Sequence, residues 1–230
     1  MILLQKSIIK LLSFADIVTL VNVLFGFFSM TMLFIGEIWF SFSFILLAIL
    51  ADGLDGIVAR RTRKGELGEY FEAMADMTSL GIAPAFFVYV KYHNYAADYV
   101  YYHIYLITTA ALFLLLCVIR LASFHVMKDK NFFVGLPASS ATIIVVTLAF
   151  LGVPFLYLLP VIIVVSVAMI CSIRFPKPDL RINSVATILI ILTVIFGKSY
   201  NGIAPLVLLL AILIYVFAGP IYLWKTKKNM

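Results

Sequence analysis

Charged side chains are scarce in this sequence. Aspartate, glutamate, lysine and arginine together make up 12% of the 230 residues, whereas about a quarter of a soluble domain is charged. Hydrophobic residues make up 64%, and the mean hydropathy is +1.14. This composition excludes an ordinary soluble enzyme and indicates a polytopic membrane protein. Because the apolar runs are continuous and close to the ~20 residues that a span needs, they predict transmembrane helices.

Cysteine is also scarce, and only Cys117 and Cys171 are present. Both lie in apolar runs, so we interpret them as small hydrophobic residues and not as a disulfide or a metal-binding pair. The net charge of +6 comes from lysines and arginines between the apolar runs. It favours contact with an anionic membrane surface, and nucleic acid is not predicted as a partner.

The apolar runs predict an all-α, polytopic membrane helix bundle that forms one domain over residues 1–230. Residues 1–14 carry Lys6 and Lys10 among apolar positions, which predicts an amphipathic helix on the membrane surface. A signal peptide is the alternative, although no small-residue cleavage site follows. Six core spans cover residues 16–173, and two additional spans cover residues 183–223. The eight predicted spans are 16–35, 38–60, 69–91, 99–122, 134–152, 154–173, 183–198 and 202–223.

The distribution of basic residues predicts the orientation in the membrane. With eight spans, fifteen of the seventeen lysines and arginines fall on the same side as both termini, and only Lys91 and Lys198 fall on the other. Loops rich in lysine and arginine stay in the cytoplasm. We therefore expect a protein of the cell membrane with both termini, and the active site, on the cytoplasmic side.

Four acidic residues interrupt the second and third predicted spans: Asp52, Asp55, Glu72 and Asp76. An acidic side chain near the bilayer centre costs about 2.5–3.5 kcal/mol, so such residues are candidates for a functional site. The first two are three residues apart and the last two are four apart, so each pair shares one face of its helix. A short basic turn makes the two helices antiparallel neighbours, and the two acidic faces can meet. Clustered carboxylates predict Mg²⁺ or Mn²⁺ as the occupant.

Small residues and one arginine flank the acidic pairs. Gly56 and Ala59 leave one side of the second span bare, and Gly68 opens the third, so a flat ligand could lie against the backbone. Arg60, one turn after Gly56, could bind a phosphate. Alternatively, Gly56 and Ala59 serve ordinary helix packing, and Arg60 is an anchor at the membrane interface.

This stretch resembles the signature of the CDP-alcohol phosphatidyltransferases, which is D-x2-D-G-x2-A-R followed after seven or eight residues by G-x3-D-x3-D. One position departs from it: Glu72 stands where the family has its third aspartate. The glutamate keeps the charge but extends the carboxylate by one methylene, which leaves the metal preference and the rate open. The matching residues are Asp52, Asp55, Gly56, Ala59, Arg60, Gly68 and Asp76.

Other segments resemble the phosphatidylserine synthase branch of that family. Asp16, Thr19 and Asn22 look like polar residues of its first span, where the asparagine lies near the nucleotide diphosphate. A helix N-cap is the alternative for Asp16. The segment DMTSLGIAPA from Asp76 onward, and then IRLASFHV, FVGLPASSA and SIRFPKPD, resemble later segments of that branch, with Ser123 in place of a second arginine.

The resemblance implies transfer of a phosphatidyl or archaetidyl group from CDP-diacylglycerol or CDP-archaeol to the hydroxyl of L-serine, with release of CMP. It implies that the four acidic residues hold two Mg²⁺ or Mn²⁺ ions and that Asp76 is also the general base. The protein would work within membrane lipid, and members of the family are commonly homodimers. The nucleotide and its diphosphate are expected to bind at Asn22, Gly56, Ala59, Arg60 and Gly68.

The carboxylate of a serine acceptor requires a cation. Arg120, which ends the fourth span, is the first candidate and Lys130 the second, and a snorkelling anchor is the alternative for Arg120. Inositol phosphate or glycerol phosphate are alternative acceptors, but these dianions should require several convergent cations. Because of Glu72, a non-catalytic lipid-binding paralogue is a further alternative.

A cation transporter is the alternative from another class of protein. Transporter ion sites usually lie near the bilayer centre on broken helices. The acidic residues here are predicted near the cytoplasmic interface beside a basic turn, and we expect no proline break in spans two and three. Both expectations favour an enzyme over a transporter.

Overall fold

Helices form nearly all of the secondary structure. The computed structural model describes residues 12–61, 67–126, 132–197, 199 and 202–228, without the side chains of residues 14, 55–61, 125–126 and 226–228. In this part of the chain the elements are α1 (Phe14–Phe34), α2 (Ile38–Arg61), α3 (Gly68–Asp76), a π-helix (Met77–Ile82), α4 (Ala83–Ala96), α5 (Val100–Val126), β1 (Phe132–Val134), α6 (Ala138–Phe150), α7 (Phe155–Ile170), β2 (Arg174–Pro176), α8 (Leu180–Phe196) and α9 (Ile203–Lys228).

Since α3, the π-helix and α4 run on as one helix, the described residues form eight helices at the places of the eight predicted spans. The helical prediction is confirmed, but the number of membrane spans stays a prediction. The surface helix over residues 1–14 also stays a prediction, because residues 1–11 lie outside the described part. Helix α6 has 13 residues and extends about 20 Å, less than the ~30 Å hydrocarbon core. The helices long and apolar enough to cross a membrane are Ala15–Phe34, Gly68–Ala96, Val100–Phe124 and Ile203–Lys225.

Helix α1 begins with a capping box. The Ser13 hydroxyl accepts a hydrogen bond from the backbone N–H of Asp16 at 3.3 Å, and the Asp16 carboxylate accepts one from the backbone N–H of Ser13 at 2.7 Å. Reciprocal bonds of this kind satisfy two donors that a helix start leaves open. The N-cap is therefore Ser13, and Asp16 occupies the third helical position.

The expectation of no proline break overlooked Pro84, which lies in the third predicted span directly after a π-helix. The helix nevertheless runs on from Gly68 to Ala96. Proline has no backbone N–H, so the carbonyl of Leu80, four residues earlier, lacks the usual α-helical donor. Two side chains from other helices donate to this carbonyl: the Thr142 hydroxyl at 2.8 Å and the Cys117 thiol at 3.6 Å. The π-helix is thus hydrogen-bonded to both α5 and α6.

Helix α6 is buried on nearly all sides, with ten of its thirteen residues in the interior. A helix that is apolar all round belongs inside a bundle. The Phe150 ring at its end stacks on Phe42 of α2 with ring centroids 4.4 Å apart. The Tyr92 hydroxyl of α4 donates to the carbonyl of Val153 at 2.6 Å, just beyond α6. These contacts fix α6 against the second and third helices.

The all-α prediction is incomplete, because β1 and β2 pair as a small antiparallel ribbon with Phe133 opposite Phe175. The fifth predicted span begins at residue 134, the last residue of β1 and four residues before α6. Gly135 follows β1 with φ +79°, and a Cβ there would collide with the carbonyl oxygen of Met169. Only glycine fits this combination of left-handed backbone and close approach.

The last helix holds the ribbon from the other side. The Tyr215 hydroxyl of α9 donates to the carbonyl of Pro176, in β2, at 2.9 Å. Gly219, one turn further along α9, allows the Pro176 ring to approach, since an added Cβ would lie 2.8 Å from Pro176 Cδ. Helix α9 is therefore packed against β2 through both a polar and an apolar contact.

Candidate active site

Three of the four acidic residues singled out in the sequence, on α2 and α3, line one cavity. Asp52 comes from α2, and Glu72 and Asp76 come from successive turns of α3. The cavity measures about 130 Å³, less than the ~300–1,000 Å³ of sites that enclose a drug-sized ligand. It can therefore hold only the reacting end of a large substrate. The other lining residues are Ala73, Leu80, Arg120, Leu121, Phe124, Phe133, Pro137, Ala138 and Ser139.

Asp76 is the most buried of these three acids, with 9% of its surface exposed. The side-chain amide of Asn22, on α1, donates a hydrogen bond to Asp76 Oδ1 at 3.1 Å. Asn22 is fully buried, and its own Oδ1 has no hydrogen-bond partner among the described residues. A buried, unpaired amide oxygen costs about 1–3 kcal/mol. Asn22 thus contacts the residue predicted to be the general base, and its unpaired Oδ1 is available to a polar ligand.

Gly68 brings α1 close to the start of α3. A Cβ at Gly68 would lie 3.1 Å from Oδ1 of Asp16, so the space left by the missing side chain faces the buried Asp16 carboxylate. Thr19, one turn after Asp16, donates to the backbone carbonyl of Ala15 at 3.2 Å. In the structure, Gly68 therefore permits close packing of α3 against α1. The sequence instead predicts that Gly68 leaves room for a ligand.

Arg120 points into the bundle and not toward the membrane interface. Only 6% of its surface is exposed, and its Nε donates to the carbonyl of Leu136 at 3.2 Å. The guanidinium also lies 5.9 Å from the ring centre of Phe124. The snorkelling alternative does not fit this burial, and α5 continues past Arg120 to Val126. Arg120 instead adds a fixed cation to the wall of the acidic cavity.

Several predicted site residues cannot be located by side chain. Asp55, Gly56, Ala59 and Arg60 lie in the helical backbone of α2, but their side chains are outside the described part, and Lys130 lies outside it altogether. The structure therefore brings together Asp52, Glu72, Asp76, Asn22 and Arg120 of the predicted set.

Sequence reasoning missed the lining residues that come from β1 and α6. Phe133 of β1 and Ser139 of α6 line it, together with Pro137 at the start of α6. These residues are far from the acidic pairs in sequence, and no local pattern sets them apart. The segment FVGLPASSA does contain them, so the resemblance of that segment to the phosphatidylserine synthase branch was the one available signal.

The family model for CDP-alcohol phosphatidyltransferase matches residues 12–197. The chain belongs to the CDP-alcohol phosphatidyltransferase family. The match includes every element that lines the cavity, from α2 to α6, and it confirms the resemblance that the acidic signature indicates. Helix α9 lies beyond the matched region.

Similar members of the family carry related names. The chain is 31% identical over 172 residues to a CDP-diacylglycerol–serine O-phosphatidyltransferase of Methanocaldococcus jannaschii, which covers 74% of this chain and 77% of the relative. It is 32% identical over 181 residues to an archaetidylserine synthase of Methanothermobacter thermautotrophicus, covering 76% and 74%. A CDP-diacylglycerol–serine O-phosphatidyltransferase of Helicobacter pylori is 29% identical over 177 residues, which cover 70% of this chain and 71% of the relative.

Members of this family generally depend on a divalent metal ion. Among the side chains that the structure describes, no three acidic, histidine or cysteine residues form a group that could hold one ion, and the Asp55 side chain is not among them. The donor set nevertheless fits: Asp52, Glu72 and Asp76 share one cavity, and carboxylate oxygens are the ligands that Mg²⁺ and Mn²⁺ prefer. The orphaned Oδ1 of Asn22 adds a neutral oxygen beside Asp76.

Proposed function

We propose that this chain transfers the phosphatidyl or archaetidyl group of a CDP-linked lipid to the hydroxyl of L-serine and releases CMP. The names of its relatives support the serine acceptor. The observation that carries the proposal is the cavity itself, in which Asp52, Glu72 and Asp76 share the wall with a buried arginine. Carboxylates suit a metal-bound diphosphate, and the arginine suits the acceptor carboxylate.

The four acidic residues of the signature would hold two Mg²⁺ or Mn²⁺ ions. Bound there, such ions neutralise the transferring phosphoryl group and the CMP leaving group. Asp52 and Asp55 would contribute from α2, and Glu72 and Asp76 from α3. Glu72, longer than the family's aspartate by one methylene, would still supply a carboxylate ligand.

Asp76 would be the general base. It would take the proton from the serine hydroxyl as that oxygen attacks the phosphorus, while the bond from phosphorus to the CMP oxygen breaks. The products are CMP and a serine phospholipid. Asn22 supports this role because its amide donates to Asp76 Oδ1 and so orients the carboxylate.

The nucleotide would bind along the small residues of α2 and α3. Gly56, Ala59 and Gly68 are the small residues assigned to the nucleotide. Arg60 would bind a phosphate oxygen. Asn22, which is hydrogen-bonded to Asp76, would lie near the diphosphate. Since the cavity is too small for a nucleotide, the cytidine and the lipid chains would lie outside it. Of the CDP-linked lipid, only the phosphoryl group would enter, beside the serine acceptor.

Arg120, with Lys130 as a second candidate, would bind the serine carboxylate. Arg120 is the only cation among the described residues that line the cavity. A planar guanidinium can hold a carboxylate through two parallel hydrogen bonds. A phosphorylated alcohol carries a second charge, which Arg120 alone would not balance, so among the described lining residues the charge suits serine better than inositol phosphate or glycerol phosphate.

The protein would act as a homodimer in the cell membrane, with both termini and the cavity on the cytoplasmic side. The four helices that can cross a membrane support the membrane location, and the distribution of lysine and arginine supports the orientation. The soluble acceptor and CMP would then enter and leave from the cytoplasm, and the lipid from the bilayer.

The test is acceptor choice. Purified protein is supplied with CDP-diacylglycerol or CDP-archaeol, Mn²⁺ and one of serine, inositol phosphate or glycerol phosphate, and CMP release is measured. Serine is expected to accelerate CMP release most, and Asp76→Asn is expected to reduce it by at least about 100-fold. As a matched control, Asp98→Asn alters an exposed aspartate outside the site and should leave turnover unchanged.

Preference for a phosphorylated alcohol would overturn the serine assignment. Unchanged CMP release in Asp76→Asn would remove the base assignment. Absence of CMP release with every acceptor would favour the non-catalytic paralogue.

A further inference from the structure

At the carbonyl of Leu80, the π-helix is hydrogen-bonded to α5 and α6 beside the cavity; we call this point the junction. Leu80 lies one turn after Asp76, lines the cavity, and is 2% exposed. Its carbonyl accepts from Thr142 Oγ1 of α6 at 2.8 Å and from Cys117 Sγ of α5 at 3.6 Å. Thiols are weak donors, so the Thr142 hydroxyl, which is fully buried, is the principal side-chain partner.

The π-helix that this junction supports decides which way Asp76 faces. Successive residues of an α-helix turn by about 100°, so an uninterrupted helix would place Tyr92 about 160° from Asp76, nearly on the opposite side. One residue added to a turn, as in a π-bulge, reduces that angle by about 100°. Both side chains are buried, and both belong to the continuous helix from Gly68 to Ala96. The bulge thus lets Asp76 face the cavity while Tyr92 packs beside α6.

The surroundings leave the junction little freedom. Gly81 follows Leu80, and a Cβ there would lie 3.2 Å from Leu114 Cδ1 and 3.6 Å from Cys117 Sγ of α5. Ser79 is also fully buried, and its hydroxyl donates back to the carbonyl of Ala75 at 3.1 Å. With α5 against one side, the hydrogen bond from α6 sets the position of the π-helix.

We propose that Thr142 is a positioning residue: through the Leu80 carbonyl it holds the π-helix, and with it the angle at which α3 presents Glu72 and Asp76 to the substrate. This rests on the proposed function, in which those two acids bind metal and Asp76 takes the proton. Thr142 lies 66 residues after Asp76 in the sequence and touches no reacting atom in this scheme.

The chain offers a matched control on the same helix. Thr147 is as buried as Thr142, but its hydroxyl has no hydrogen-bond partner among the described residues. Thr142→Val and Thr147→Val therefore make the same chemical change, and only the first removes a hydrogen bond. Thr142→Ser keeps the hydroxyl and removes a methyl group.

The experiment measures kcat and KM for CMP release and, without any substrate, Mn²⁺ binding by electron paramagnetic resonance. Thr142→Val is expected to lower kcat about tenfold relative to Thr147→Val, because small displacements of catalytic groups have large effects on rate. Its Mn²⁺ binding should weaken several-fold, while KM for the CDP-lipid should stay within about twofold, since Gly56 and Ala59, assigned to the nucleotide, lie on α2 and not on the helix that contains the bulge. Thr142→Ser should restore both kcat and Mn²⁺ binding.

Equal kcat and equal Mn²⁺ binding in Thr142→Val and Thr147→Val would overturn the inference, as would a Thr142→Ser variant as impaired as Thr142→Val. If the valine variant does not fold, Thr142→Cys supplies a weaker donor of similar size, and turnover equal to that of Thr142→Ser would overturn the inference. A wild-type protein that binds Mn²⁺ but forms no CMP with serine would contradict the proposed function, and the Mn²⁺ comparison would still decide the role of Thr142.

Discussion

The amide of Asn22, on α1, and the carboxylate of Asp76, on α3, form a 3.1 Å hydrogen bond between residues 54 positions apart in the sequence. Asn22 is fully buried and Asp76 is 9% exposed. A hydrogen bond to a charged group contributes about 1.5–3 kcal/mol. The first helix of the bundle therefore takes part in the site directly and is not only its support.

Asn22→Leu keeps the approximate size of the side chain and removes its donor. We expect kcat for CMP release to fall about tenfold or more, because the Asp76 carboxylate loses a buried hydrogen bond. The control is Ser43→Ala, which removes a buried hydroxyl that has no partner among the described residues. Activity close to wild type in both variants would show that Asn22 does not act on Asp76.

Glu72→Asp restores the aspartate of the family signature. We expect turnover to stay the same or to rise, because the shorter carboxylate remains a metal ligand with the charge unchanged. CMP release and the Mn²⁺ concentration for half-maximal rate are the measurements. Glu37→Asp, at an exposed position before α2, makes the same change away from the cavity. A large loss in Glu72→Asp alone would mean that neighbouring residues have adapted to the longer side chain.

Arg120→Lys keeps the positive charge but removes the planar guanidinium and its bond to Leu136. We expect KM for serine to rise about tenfold, because a lysine cannot hold a carboxylate through two parallel bonds. KM for the CDP-lipid should not change. Arg181→Lys, at an exposed position in the first turn of α8, is the matched control. An equal rise in both KM values would contradict a role confined to the acceptor.

Gly135→Ala tests the turn that places β1 beside the cavity. Alanine costs about 1–2 kcal/mol in left-handed backbone, and here its Cβ would also collide with the carbonyl oxygen of Met169. Gly36→Ala is the control, since Gly36 has φ +82° but open space around it. Thermal unfolding in detergent should show a clearly larger loss of stability for Gly135→Ala. Equal losses would mean that the Met169 contact relaxes without cost.

The positions of the helices could be predicted closely from the sequence, because long apolar runs and glycine or proline at their ends report on local structure. The third span, predicted as 69–91, lies within the helix Gly68–Ala96, and the fourth, predicted as 99–122, lies close to Val100–Val126. The acidic face shared by Glu72 and Asp76 follows from their spacing of four. These features depend on residues near each other in the chain.

The remaining features depend on packing between distant segments. The fifth predicted span, 134–152, includes the last residue of β1, Val134, because an apolar strand residue looks like the start of an apolar helix. The pairing of β1 with β2 depends on residues some forty positions later. The inward direction of Arg120 and its bond to Leu136 follow from the position of α6. The sequence does contain Pro84, and it was the overlooked local signal for the π-helix.

The hydrogen bond from Tyr215 to Pro176 has a consequence for any shortened form of the protein. A chain ended after residue 197 would retain everything that the family model matches, yet it would expose the faces against which Leu208 and Leu209 are buried. It would also leave β2, and through it Phe133 at the cavity wall, without support from α9. Removing α9 should therefore weaken the packing around the cavity, although α9 lies outside the region that the family model matches.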